Sequence, residues 1–362
     1  MKHKIREKIY IYIPISISLL ILFFLIYPKY DLILNTTKNA NIYYLSLSLF
    51  FSFFSYFLMG LSLWESLKIM NNYIPLKDSV GIALVSSTVN YFVSSGGVSG
   101  FAVRAHLLSK RHVPYSICIT SSVVLTALIY LVLDAIIFLG FFMQFVKTGE
   151  FTGSLIEGLI GAILLFLLSL FFVTILYHHE FRNKWAVRIY HLLNNFLYIF
   201  SKKEIPQEDF KNFESQLNEG IIKIHERKYE LPKVVLYVAL DWISNILILF
   251  FAFKAVSVKI SFAKLVIGFA FGMIMTIIPI LPGGLGAMEA AMATAYFHMD
   301  IAWEKAIVAV LIFRVFYYLI PSIISIFVYF GLKISEPKFR YEKFIKNMGK
   351  THKHKENINY DI

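Results

Sequence analysis

The sequence predicts an all-α integral membrane protein: a polytopic bundle of about six spanning helices plus two re-entrant broken-helix hairpins that form an inverted repeat. Three observations carry this reading. The 362-residue chain is 58% hydrophobic and only 16% charged, below the quarter or so of charged residues in a soluble domain. Its apolar residues come in long blocks rather than at alternating or helical spacing, so lipid is the solvent for most of them. Two of these blocks are interrupted midway by glycine or proline, one in each half of the chain.

The elements follow in order. A basic head leads into an apolar stretch at 9–27. It runs long for a signal peptide and no small-residue cleavage site follows, so it reads as a retained first helix. Apolar stretches at 42–66, 115–145, 154–177, 233–253 and 306–332 meet the length of about 20 residues that spanning requires. The regions 79–100 and 265–297 are apolar but broken. Between the fourth and fifth spans, 178–232 is rich in both charge signs. There Phe210–Tyr229 spaces its apolar residues every three to four positions, as a membrane-surface amphipathic helix or a solvated helical linker does. The expected organisation is one membrane domain over 1–335, including the 178–232 cytoplasmic loop, and a basic cytoplasmic tail over 336–362.

With both termini in the cytoplasm and each broken region entering and leaving on one side, most of the 35 Lys and Arg residues lie inside, as the positive-inside rule requires. The loop Arg104–Arg111 is among them, while Lys254, Lys259 and Lys264 fall outside. The net charge of +12 then faces anionic lipid headgroups. No nucleic-acid recognition module accompanies it. In this arrangement the first broken region enters from the cytoplasm and the second from outside. Inverted repeats with broken helices meeting near the midplane are a common transporter architecture.

The first break reads VSSTVNYFVSSGGVSGFAVRAHLL and the second MIMTIIPILPGGLGAMEAAMATAY. Gly96 and Gly97 align with Gly283 and Gly284, and Gly100 answers Gly286. The second break adds Pro279 and Pro282. Glycine permits positive φ and close backbone approach, and proline ends the preceding helix. Each break leaves a helix N-terminus inside the protein, a natural phosphate or carboxylate site. The alternative is that the glycines serve tight helix packing alone.

Ionisable residues in apolar spans are costly unless paired, and each is a functional candidate. Glu289 stands in the first turn after the second break, either capping its own helix or accepting a cationic headgroup, a proton or a buried arginine. Arg314, inside the last span, either clamps a phosphate bidentately or pairs with Glu289. Arg104 follows the first break and is equally suited to substrate binding and to anchoring at the cytoplasmic face. Asp134 is mid-span and the better functional candidate of the two buried aspartates, with Asp241 read as structural. His106 and His112 read as surface residues of the basic loop. Cys118 is the single cysteine, which leaves no intrachain disulfide and no cysteine metal cluster. The sequence carries no P-loop, dinucleotide fingerprint, HExxH or nucleophile elbow, and Ser99 in GGVSGF lacks the elbow's continuation. No cofactor and no metal are expected.

The segments SSGGVSGFAVRAHLLSKR and PILPGGLGAMEAAM, followed by VLIFRVFYYLIPSI, resemble the membrane domain of the lysylphosphatidylglycerol synthetase/flippase family over about residues 8–335. The resemblance implicates Pro282, Gly283, Gly284, Gly286, Glu289 and Arg314, and in the first half Gly96, Gly97 and Arg104. The family usually has a proline before the first glycine pair, where this chain has Ser94 and Ser95. In bifunctional relatives a soluble domain transfers lysine from charged tRNA to phosphatidylglycerol. The expectation here is the membrane part without that transferase. The resemblance therefore implies a multi-pass protein of the bacterial inner membrane that moves lipid between leaflets. Its partner would be a phospholipid, such as lysyl-phosphatidylglycerol, or a polyprenyl-phosphate headgroup. The alternative is the membrane subunit of a lipid-modifying transferase whose catalytic domain is a separate chain.

Overall fold

Helices carry the described residues and no strand occurs among them, as a solvent without hydrogen-bonding groups demands. The computed structural model describes residues 23–24, 26–92, 98–149, 153–178, 206–277 and 282–335, with isolated positions between 184 and 194. The predicted stretch 9–27 lies almost wholly outside these residues, as do the tail 336–362, Gly96, Gly97 and Pro279.

After a 3-10 turn at Tyr27–Lys29 come α1 (Tyr30–Lys38), α2 (Ile42–Ile69), α3 (Leu76–Phe92), α4 (Val98–Ser109), α5 (Tyr115–Thr148) and α6 (Gly153–Tyr177). The second half runs through α7 (Gln207–Glu226), α8 (Leu231–Ala255), α9 (Phe262–Ile277), α10 (Ala287–His298), α11 (Trp303–Arg314) and α12 (Ile320–Ile334). A π-helical turn, Val315–Leu319, joins α11 to α12. Among the described residues four helical stretches are long and apolar enough to cross a membrane: Ile42–Ile69, Tyr115–Lys147, Lys228–Ala255 and Trp303–Ile334. They match four of the six predicted spans, and α6 covers a fifth.

The two interrupted regions are pairs of short helices. α3 and α4 have 17 and 12 residues, α9 and α10 have 16 and 12. At 1.5 Å per residue each reaches about 18–26 Å, short of the ~30 Å hydrocarbon layer. Each pair folds back on itself. A Cβ at Gly100 would lie 2.7 Å from the Ser86 carbonyl oxygen, and Gly268 and Gly272 leave room for Tyr296 and Met292. Small residues are what allow the arms of a hairpin to close without lipid between them.

The central pair is α2 and α8. Ser48 donates to the Ile248 carbonyl and Ser55 to Asp241 Oδ1, so rising numbers on α2 meet falling numbers on α8. The helices run antiparallel. Because α2 opens the first repeat and α8 the second, the repeats have opposite sense, as the sequence predicts. The hairpins then pack crosswise: α3 lies on α12, the last span of the second repeat, and α9 lies on α5, the last span of the first.

Two details anchor this frame. Arg111 is buried where the predicted basic loop turns, with Nε donating to Asp78 Oδ2 at 2.7 Å and Nη2 to the Leu332 carbonyl at 3.3 Å. It ties the ends of α3, α4 and α12 together. The amphipathic stretch around Phe210–Tyr229 forms α7, whose Leu217 and Ile221 bury against Ile119 with Phe101 and Val123 alongside. A Cβ at Gly220 would meet Thr120 Oγ1 at 1.9 Å, so α7 is seated directly on α5.

Candidate functional site

The second break is a left-handed turn. Gly283, Gly284 and Gly286 have φ of 55°, 66° and 82°, a region in which residues with a Cβ are strained. Gly283 also presses against the first hairpin, because a Cβ there would stand 2.6 Å from the Tyr91 carbonyl oxygen. Tyr91 is next to the last residue of α3, so the turn of one hairpin abuts the end of the other's first arm. Gly283→Ala is expected to lose about 1–3 kcal/mol of stability from the dihedral alone, plus the backbone collision. Gly284→Ala, whose Cβ meets nothing closer than 3.4 Å, loses the dihedral cost only. Thermal unfolding in detergent micelles separates the two.

The break delivers Glu289 to the first turn of α10. Its Oε2 accepts from the Gly286 N–H at 2.7 Å, and its Oε1 accepts from Arg314 Nε at 2.7 Å. The carboxylate thus caps the new helix and neutralises the arginine at once. Arg314 spends its other donors inward, Nη2 to the Gly283 carbonyl at 3.1 Å and Nη1 to Met288 Sδ at 3.4 Å. Its guanidinium lies 3.9 Å from the Tyr318 ring centroid, and Tyr318 packs on Tyr91 at 4.3 Å. Glu289 and Arg314 are 1% and 6% exposed. In this conformation both groups are committed to each other and to the break.

Arg104 is placed otherwise. It projects from α4 with Nε donating to Ser86 Oγ at 3.4 Å, and among the described residues no carboxylate lies within ion-pair distance of it. It lines a narrow cleft together with Ser62, Met59, Leu125, Val238 and Asp241. Asp241 is held from one side. Ser55 Oγ and Asn245 Nδ2 both donate to its Oδ1, and Asn245 also donates to the Asp241 carbonyl at 2.9 Å. A guanidinium without a counter-ion among the described residues and a carboxylate bonded through one oxygen therefore line the same opening. The pairing of charges, rather than the present width of the cleft, matches a ligand bearing both a phosphate and an amine.

Asp134 stands apart from both groups. It is 1% exposed, accepts from Ser169 of α6 through Oδ2, and its Oδ1 has no hydrogen-bond partner among the described residues. Of the predicted site residues, the structure joins Pro282, Gly283, Gly284 and Gly286 to Glu289 and Arg314. Gly100 lies in the hairpin contact beside Ser86, one turn before Arg104. Asp241, which the sequence marks as structural, lines this cleft beside Arg104. A mid-helix aspartate with asparagine four residues later was the available signal, since that spacing puts both on one helix face.

A family model described as the lysylphosphatidylglycerol synthase TM region matches residues 11–325. A UPF0104 membrane protein of Methanothermobacter thermautotrophicus is 29% identical over 141 residues, covering 37% of this chain and 40% of the relative. A phosphatidylglycerol lysyltransferase of Staphylococcus aureus is 26% identical over 86 residues, covering 24% of this chain and 10% of the relative. The chain thus matches less than half the length of each of these relatives.

Proposed function

The chain belongs to the lysylphosphatidylglycerol synthase transmembrane-region family, and on that premise we propose that it is a lipid translocator of the inner membrane. Both termini lie in the cytoplasm in this reading, and residues 1–335 form the membrane domain. The cargo is an anionic or aminoacylated phospholipid such as lysyl-phosphatidylglycerol. One observation carries the reading: Arg104 lines the cleft with no carboxylate within ion-pair distance among the described residues, and Asp241 lines the same cleft. A lipid headgroup supplies the missing anion through its phosphate, and an aminoacyl group supplies a cation for Asp241. Both contacts are charge-assisted and gain strength where water is scarce.

Within this reading the Glu289–Arg314 pair holds the second break in shape rather than meeting cargo in the conformation described. The inverted repeat supplies the alternation between leaflets. A second reading is favoured by the relative named as a lysyltransferase: the chain is the membrane subunit of a lipid-modifying transferase, with the catalytic domain on another polypeptide.

The test is leaflet exchange in liposomes containing the purified protein, with labelled lysyl-phosphatidylglycerol, phosphatidylglycerol and phosphatidylcholine in parallel. The translocator accelerates exchange of the aminoacylated lipid above protein-free vesicles, and above phosphatidylcholine. Folded protein that accelerates none of the three overturns the reading. Copurification of a soluble transferase in that case supports the second.

A further inference from the structure

The last span is divided in its middle. Its first part, α11, packs on α10 and α8, whereas α12 packs on α3 of the opposite hairpin. Between them the turn Val315–Leu319 is π-helical, with the Ile320 N–H donating to the Val315 carbonyl five residues back. Arg314, which holds Glu289, is the residue immediately before this turn.

Pro321 explains why the turn needs outside help. Proline has no N–H and its ring crowds the carbonyl four residues earlier. In α-helical register the Tyr317 carbonyl loses its donor, and in π register the Phe316 carbonyl does. The structure supplies both from α2. Ser52 Oγ donates to the Phe316 carbonyl at 2.6 Å and Tyr56 OH to the Tyr317 carbonyl at 2.7 Å. Ser322 Oγ donates to the Tyr318 carbonyl. Three successive carbonyls are therefore satisfied by hydroxyls, two of them more than 260 residues away along the chain. Backbone that is held by side chains of another helix has a donor that leaves when that helix moves.

We propose that Val315–Leu319 is a hinge of the conformational cycle, latched by the Ser52 and Tyr56 hydroxyls. Released, the turn changes register by one residue and rotates α11 about its axis by roughly 100° relative to α12. That rotation carries Arg314 away from Glu289 and uncouples the hairpin α9–α10 from the α3–α12 contact. π turns inside α-helices commonly sit at such functional positions. The hinge is independent of what the cargo is.

Spin-label distance measurement tests it. In a Cys118→Ser background, labels replace Phe297 on α10 and Phe330 on α12, both exposed, and report across the hinge. The Ser52→Ala/Tyr56→Phe variant is expected to enlarge a second distance population by roughly twenty-five-fold, since each hydrogen bond removed shifts the balance by about fivefold. The single variant Ser52→Ala shifts it in the same direction by less and serves if the double variant fails to fold. Ser48→Ala removes an equivalent hydroxyl bond, to the Ile248 carbonyl of α8, and leaves the distances as in the wild type. A distribution unchanged in both hinge variants overturns the proposal, and so does equal broadening in Ser48→Ala. The readout involves no lipid exchange, so its failure is distinguishable from failure of the translocator reading.

Discussion

Replacing Arg314 by methionine is expected to lower the unfolding free energy by about 3–5 kcal/mol, the usual loss when one partner of a buried ion pair is removed. Methionine fills the space of the side-chain stem, so little of this is cavity. The loss comes from Glu289, left at 1% exposure without its counter-charge and with the Gly286 N–H as its remaining partner, and from the Gly283 carbonyl, which loses its donor. The companion Glu289→Gln/Arg314→Met removes both charges, while the glutamine carbonyl still accepts from Gly286. It is expected to recover most of the stability, because replacing a buried pair by neutral groups is often close to neutral. Reversible unfolding of the wild type, Arg314→Met, Glu289→Gln and the double variant in mixed micelles gives the coupling energy. If Arg314→Met unfolds like the wild type, the pair does not lock the break.

Replacing Arg104 by glutamine has the opposite signature. Exchange of the aminoacylated lipid is expected to fall by tenfold or more, since a hydrogen bond to a charged group contributes about 1.5–3 kcal/mol. Stability should be unchanged or slightly higher. An arginine with no carboxylate partner costs desolvation that no ion pair offsets, so the fold gains when it is removed. Asp241→Asn loses exchange of lipid bearing an amine more than of lipid without one, because the Ser55 contact can still be made to the amide oxygen. Parallel exchange and unfolding measurements check both. Loss of exchange together with loss of stability in Arg104→Gln would instead mark it as structural.

The contrast between these residues shows what the sequence made legible. The broken segments were readable because three glycines in four positions flanking Leu285, preceded by proline, have few other uses in an apolar block. The Glu289–Arg314 pair was among the alternatives because two opposite charges in neighbouring apolar segments have few other partners. The surroundings of Asp241 are illegible for the complementary reason. What distinguishes it is Ser55, 186 residues away, and a cleft shared with α4 and α5, none of which its own helix records. Asp134 reads as the better functional candidate of the two, and the residue that meets it is a serine on α6. The π turn was hidden likewise. Pro321 was visible, but whether a proline kinks, breaks or is accommodated depends on donors from another helix, here Ser52 and Tyr56.

The crosswise seating of the hairpins carries one more consequence. Each half of the molecule reaches over and rests its short arm on the far half's terminal helix, as two clasped hands do. Buried residues of both halves belong to one hydrophobic core. The packed groups are mixed: α3, α4 and α12 on one side, α9, α10 and α5 on the other. Each draws members from both ends of the gene product. Each hairpin is thus seated on the helix that closes the other repeat, so the two breaks are linked through packing as well as through the chain.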